Sequence, residues 1–291
     1  MPEVAVVTDS TSYLPRDLVA ANGIHEVSLY VRDGAGQRPE LEISDYERFY
    51  DDLRTASDLP TTSQPSIGDF TAAYGPLVTD GRDVVSIHIS GGISGTVESA
   101  RQAAAEVARE HAGRRVEVVD STVSAGALGL VALAAAGRAR AGGDTDAVVA
   151  AAGEAIEAMR FWFAVDTLEY LRRGGRIGAA QAWLGGALKI KPILTLDGQI
   201  TPIERVRTSK RAFERMVDYL RSGHEDGADA WVVQHIQAAD VAERLVARGR
   251  ALFGCEPAFV SEVGPVIGAH VGPGLVGFGG IPRSLLGSDS D

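Results

Sequence analysis

Four sets of polar residues in this 291-residue chain have the types and spacing to hold an anion. Ile87–Thr96 reads I-H-I-S-G-G-I-S-G-T, an apolar run that turns through Gly91 and Gly92 toward a helix starting near Val97. Such a turn aims unpaired backbone N–H groups and the positive end of a helix outward, and its glycines admit a ligand close to the backbone. Ser90, Ser94 and Thr96 add hydroxyl donors, so a phosphate, a carboxylate or a reacting oxyanion would each fit. Pro60–Ser66, P-T-T-S-Q-P-S, is a hydroxyl-rich loop stiffened by two prolines, in which Thr61, Thr62 and Ser63 could face a ligand while Ser66 caps the next helix. His270 sits among glycines in G-A-H-V-G-P-G, where it is either a structural core histidine or a hydrogen-bonding partner of an anion near Ser94. Arg172, Arg173 and Arg176, with Arg205 and Arg207, are the densest arginines. They form either a solvated face or a positive patch for a phosphoryl group or an acidic partner.

The elements that would carry these residues alternate between strand and helix. Val4–Val7 is a buried-strand run ending in T-D-S-T-S, where Ser10 or Ser12 is either a helix cap or a ligand group. Ile24–Val31 reads as a second strand, Ser44–Ala56 as a helix, Val84–Ile89 and Val116–Val119 as further strands, each followed by a helix. This alternation implies a mostly parallel, helix-covered sheet. The pattern changes near residue 160. Phe161–Val165 reads as a strand, Thr167–Arg173 as a short helix, Ile190–Leu196 and Ile200–Arg207 as a hairpin, followed by alternating helices and strands to Val263 and a glycine-rich stretch to Gly280. The reading is a two-domain α/β protein, with an N-terminal domain over 1–160, a C-terminal α/β domain over 161–286 that contributes His270 and the arginines, and a disordered tail at 287–291.

Composition narrows the function. Lys+Arg of 28 against Asp+Glu of 39 gives a net charge of −11, which argues against nucleic acid as a partner. Cys255 is the single cysteine, so neither a disulfide framework nor a cysteine zinc cluster is available, and no histidine pair has metalloprotease spacing. The expectation is no metal and no cofactor. No apolar run is long enough to span a membrane, and the start lacks a secretion signal, so a cytoplasmic protein with at most transient membrane contact is expected. Neither G-x-x-x-x-G-K-[ST] nor a helix-opening G-x-G-x-x-G follows a strand, which argues against a nucleotide site. Ser94, Asp166 and His270 occur in the chain order of an α/β-hydrolase triad, but G-I-S-G-T misses the G-x-S-x-G pattern by one position.

Taken together, T-D-S-T-S, T-S-Q-P-S, I-S-G-G-I-S-G-T, the Asp120–Ser121 strand end, L-E-Y-L-R-R-G-G-R-I, K-I-K-P-I-L, V-R-T and H-V-G-P-G resemble the DegV family of bacterial fatty acid-binding proteins, in the family's order and over nearly the whole chain. The resemblance implies a non-enzymatic carrier, the fatty acid-binding subunit of a fatty acid kinase system. It would hold one long-chain fatty acid with its tail in an apolar pocket and its carboxylate buried, while a separate ATP-dependent kinase protein phosphorylates the carboxylate to an acyl phosphate. On that resemblance the carboxylate falls to Thr62, Ser94 and His270, with Ser63 and Gly95 beside them, and the partner-facing or phosphate-facing arginines are Arg173 or Arg176 and Arg207. Val271 stands where the family often has threonine, and A-G-A-L-G after Asp120–Ser121 departs from the usual spacing. About fifteen buried methylenes at ~0.8 kcal/mol each would contribute on the order of 12 kcal/mol before ordering costs, so the tail supplies affinity while the carboxylate needs donors. A serine hydrolase using Ser94 and a small-anion or lipid sensor are the alternatives.

Overall fold

The computed structural model describes residues 3–34, 36–184 and 190–287. The tail expected to be disordered lies, apart from Gly287, outside the described residues, as does Lys189 of K-I-K-P-I-L. The chain opens with β1 (Val4–Asp9), α1 (Arg16–Ala21) and β2 (His25–Val27), then β3 (Tyr30–Asp33), β4 (Gly36–Pro39), α2 (Tyr46–Thr55) and β5 (Thr61–Ser63). It continues through α3 (Ile67–Thr79), β6 (Asp83–His88), α4 (Thr96–Glu110), β7 (Val116–Asp120), α5 (Ala125–Arg140) and α6 (Thr145–Ala158). The remainder is β8 (Arg160–Ala164), α7 (Glu169–Arg173), β9 (Lys191–Asp197), β10 (Gln199–Val206), α8 (Ser209–Glu225), β11 (Ala230–His235), α9 (Ala239–Phe253), β12 (Phe259–Glu262), α10 (Pro265–Val271) and β13 (Val276–Ile281).

Three sheets result. A parallel sheet has the order β2-β1-β6-β7, a small antiparallel sheet β4-β3-β5, and a six-stranded mixed sheet β10-β9-β8-β13-β11-β12. The mixed α/β class expected from the alternating pattern is therefore the one observed. In the parallel sheet the chain crosses from β1 to β2 on one side and reaches β6 on the other. The carboxyl ends of β1 and β6 consequently flank the crevice where open α/β sheets bind ligands. Helix α5 packs against β1 and β6 on one sheet and β11 and β13 on the other. Thirteen of its sixteen residues are buried, which explains its run of Ala and Gly: a helix squeezed between two sheets has room for little else. Among the described residues no helix is long and apolar enough to cross a membrane.

Local expectations fail where long-range pairing overrides local pattern. Ile24–Val31, expected as one strand, is cut at Ser28–Leu29 into β2 and β3, which join different sheets, because Leu29 N–H donates to Ser10 Oγ at 3.1 Å instead of continuing a ladder. The hydroxyl-rich loop at Pro60–Ser66 contains a strand, since Thr61–Ser63 pairs with Tyr30–Arg32. Gly264–Gly280 hides both α10 and β13. Neither Ser10 nor Ser12 caps α1, whose cap position is Pro15, and neither lines a ligand cavity. Asp9 instead caps the turn at Ser10–Ser12. Ser66 does cap α3, reciprocally with Asp69.

The freed Ser10 hydroxyl belongs to a buried carboxylate. Glu40 is 1% exposed and accepts hydrogen bonds from Ser10 Oγ (2.6 Å), Tyr13 OH (2.9 Å) and the backbone N–H of Val266 (2.7 Å). Burial raises its pKa to about 7, against the opposing pull of those three donors. Between the ordinary carboxylate range and pH 7 the unfolded chain ionises while folded Glu40 keeps its proton, so stability falls as pH rises through that window, by on the order of 3 kcal/mol. Between denaturant titrations at pH 5 and pH 8 the native protein should therefore lose on the order of 3 kcal/mol more stability than Glu40→Gln, a comparison in which the raised Glu26 and lowered His270 cancel. Equal drops in both would remove Glu40 as its source.

Candidate functional site

The loop after β6 is built by hydrogen bonds that leave its outer face open. Asp9 Oδ2 accepts from Ile89 N–H (2.9 Å), Asp120 Oδ1 accepts from Gly91 N–H (3.1 Å), and Ser90 Oγ donates to the Gly198 carbonyl (2.7 Å) in the turn between β9 and β10. That turn presses so closely that a Cβ on Gly92 would lie 2.0 Å from Gly198 O, which explains the glycine. Ser94 Oγ sits 2.8 Å from Thr96 Oγ1 and accepts from Thr96 N–H at 3.3 Å, so this serine organises the first turn of α4.

Behind the loop, Tyr74 OH donates to Ser86 Oγ (2.8 Å), Ser86 meets His88 Nε2 (2.6 Å), and His88 Nδ1 meets Asp9 Oδ2 (3.1 Å). With Tyr74 donating, the proton order runs from Tyr74 through Ser86 and His88 to Asp9. This is a Ser–His–Asp arrangement, but all three residues are fully buried and none lines the cavity described next, so it braces the β1–β6 crevice and performs no chemistry on a ligand.

His270, on α10, approaches from the other half of the chain. Its Nε2 lies 2.7 Å from Thr62 Oγ1 on β5, across 208 positions of sequence. Its Nδ1 is buried and has no hydrogen-bond partner among the described residues. A Cβ on Gly174 would stand 2.3 Å from that nitrogen, so the glycine of R-R-G-G-R is what lets the imidazole pack there. Burial, helped by the nearby Arg176 charge, lowers the His270 pKa to about 4. The ring is neutral at pH 7, and an unpartnered Nδ1 is cheapest as a bare lone pair. That places the proton on Nε2, donated to Thr62 Oγ1, and leaves the threonine hydroxyl proton free for a third group.

Thr62, Ser63, Ser94, Gly95, Arg176 and His270 all line one cavity, whose empty volume including its mouth is about 960 Å³. Gln64 lies against Gly95, Arg176 Nε is 3.5 Å from the Ile93 carbonyl, and Gly174 abuts His270, so the polar members form one cluster. The rest of the wall is largely apolar, including Leu29, Phe161, Phe163, Leu171, Leu196 and Val266. A largely apolar cavity with converging hydroxyls, a neutral imidazole and one guanidinium suits an amphiphile with an anionic head. All five residues expected at a carboxylate are thus brought together, with Arg176. Arg173 and Arg207 do not line the cavity: Arg173 donates to the Ser57 carbonyl, and Arg207 is exposed. Gln64, Ser124 and Gln234 also line it and were not singled out from sequence. The available signals were the place of Gln64 inside T-S-Q-P-S and a glutamine interrupting the apolar run Trp231–Val233. A hydrolase triad is not assembled, because Ser94 bonds to Thr96, His270 to Thr62, and Asp166 to Lys191 Nζ at 2.5 Å.

A family model described as "Uncharacterised protein, DegV family" matches residues 3–283. The chain belongs to the DegV family. A DegV domain-containing protein of Streptomyces coelicolor is 44% identical over 279 residues, covering 94% of this chain and 96% of the relative. Among solved structures, a DegV family protein of Thermus thermophilus described by its fatty acid binding superposes with a TM-score of 0.85 at 36% identity, covering 96% of this chain and 99% of that one. DegV of Bacillus subtilis, described as a fatty acid binding protein, does so with a TM-score of 0.86 at 34% identity, covering 97% and 100%.

In this DegV family member the depressed His270 pKa has a measurable sign. Above the ordinary histidine range the neutral ring is favoured in both folded and unfolded states. As pH falls toward 4 the unfolded chain takes up a proton that the folded site refuses, and up to ~3 kcal/mol of stability is lost. An NMR titration of the imidazole in fatty acid-free protein should give a midpoint near 4. A midpoint at or above the ordinary histidine value would contradict the neutral-donor assignment.

Proposed function

We propose that this protein binds a long-chain fatty acid and presents it to a separate kinase. The observation that carries the reading is the hydrogen-bonded pair Thr62–His270 set into the wall of an otherwise apolar cavity. A neutral imidazole that has spent its one proton on Thr62 leaves Thr62 able to donate to a carboxylate oxygen. Ser94, Ser63 and the N–H of Gly95 stand in the same wall to supply further donors. Two or three such bonds to a charged oxygen, at about 1.5–3 kcal/mol each, offset the desolvation of a head group that would otherwise resist burial. The fatty acid binding described for the Thermus and Bacillus proteins, both more than 30% identical to this chain, supports the same assignment.

The chain acts on this reading as a carrier and needs no cofactor of its own. A carboxylate has no leaving group to activate itself, so acyl phosphate formation requires a phosphoryl donor, and an ATP-dependent kinase protein supplies it. Arg176 stands in the cavity wall to meet the developing negative charge, whereas Arg173 and Arg207, outside the wall, are suited to the kinase surface or the incoming phosphate. A serine esterase reading has no comparable support, since Ser94 is hydrogen-bonded to Thr96 and His270 to Thr62 and not to each other.

Native mass spectrometry of the purified protein should reveal one bound fatty acid, and added fatty acid should bind to delipidated protein. A folded protein that stays empty and ignores added fatty acid overturns the proposal. Ser94→Ala should weaken retention about tenfold or more through the loss of one charge-assisted hydrogen bond, and His270→Ala should weaken it comparably by removing the donor that leaves the Thr62 proton free for the carboxylate. Arg207→Ala should retain fatty acid normally yet form acyl phosphate more slowly with the kinase and ATP. Unchanged acyl phosphate formation would remove Arg207 from the partner or phosphate role.

A further inference from the structure

The cavity contains polar groups that the carboxylate does not use. Ser124 is only 7% exposed and lines the cavity, yet its hydroxyl makes no hydrogen bond among the described residues. It occupies the N-cap position of α5, where a serine normally accepts from its own helix, and does not do so. A hydroxyl that borders the cavity and spends neither its proton nor its lone pairs on the protein is free to bond whatever enters there. Gln234 is 4% exposed on β11 and lines the same cavity. Its Oε1 accepts from the N–H of Gly126 in the first turn of α5, and its Nε2 donates to Ser261 Oγ at 2.8 Å. A carboxamide has two N–H donors, and the second has no acceptor among the described residues. Gln234 pairs in register with Gly277, so on that side no side chain covers the amide.

No hydrogen bond joins Ser124 or Gln234 to Thr62, Ser94 or His270, and the surrounding wall is apolar, including Val232, Ile267 and Phe163. We propose that Ser124 and Gln234 form a second polar subsite in the cavity that takes a hydroxyl on the acyl chain, so that hydroxy fatty acids are ligands of this protein. The inference rests on the fatty acid reading above and adds the chemical class of the chain. A plain methylene passing this point leaves the Ser124 hydroxyl and the amide N–H unpaired. A chain hydroxyl there accepts from the Gln234 amide and exchanges a hydrogen bond with Ser124, so its own desolvation is offset.

The test is calorimetric competition on delipidated protein with stearic acid and its 3-, 7-, 10- and 12-hydroxy derivatives, the positions spanning the chain so that the one facing the subsite identifies itself. One positional isomer should bind within about threefold of stearic acid or more tightly, while the others bind about tenfold or more weakly through burial of an unpaired hydroxyl. Ser124→Ala and Gln234→Leu should each weaken that isomer about fivefold or more relative to stearic acid measured on the same variant, with circular dichroism showing the variants folded. The proposal is overturned if every hydroxy isomer binds tenfold more weakly than stearic acid, or if the favoured isomer ignores both substitutions, as it would were an ordered water the normal occupant. The isomer comparison in the unsubstituted protein stands without any variant. Failure of stearic acid itself to bind overturns the fatty acid reading and this one with it, whereas normal stearic acid binding without positional preference overturns the subsite alone.

Discussion

Helix α10 is held by a carboxylate that has almost no access to water. Glu40 gathers the Ser10 hydroxyl, the Tyr13 phenol and the Val266 N–H, and so ties the end of β1, the small sheet and the first turn of α10 into one joint. Tyr50 adds a second fastening by donating to the Val263 carbonyl at 2.6 Å, and Gly268 lets its ring pack flush against the helix. Everything His270 does follows from this joint. The imidazole reaches Thr62 only because α10 and β5 are held against the same strand, β3, and a rotation of the short helix would separate them. A buried carboxylate is a costly fastening, which is why it carries three donors and a pKa near neutrality.

The cavity depends on small residues in a different way. Helix α5 runs between the parallel and the mixed sheet with hardly a side chain larger than leucine, and β13 presents Gly277 and Gly279 along one face, opposite Gln234 and Val232. Close packing normally fills such a space. Here the glycines lower the wall, while Phe161, Phe163 and Leu171 keep it apolar, so a channel remains where a core would have closed. Polar function is confined to groups with assigned partners or a reason to lack one: Thr62 and His270 serve each other, Ser94 serves α4, and Ser124 waits unpaired.

Much of this was legible in one dimension. The strand–helix alternation announces a parallel sheet because residues buried on both faces read as continuous apolar runs, and the loop at Ser90–Thr96 declares itself through glycines and hydroxyls at a helix start. Thr62, Ser63, Ser94, Gly95 and His270 could be named because the resemblance quotes their motifs in order. Less legible were the splitting of Ile24–Val31 and the helix and strand within Gly264–Gly280. In both, the local pattern is ambiguous and the outcome is set by partners 19 or more positions away, or by an aromatic ring that only a glycine can accommodate.

The amino-acid sequence by itself determined the class of the fold, the family, and the residue types gathered around an anion, since these depend on periodicity and on motifs carried within a few positions. Tertiary structure alone decided that His270 is neutral and spends its proton on Thr62, that Arg176 faces the cavity while Arg173 and Arg207 do not, that Glu40 is the fastening of α10, and that Ser124 and Gln234 look into the channel. Each of those is a matter of desolvation and of contact between groups far apart in the chain. No local pattern specifies how much water a side chain loses on folding, or which distant donor it then meets.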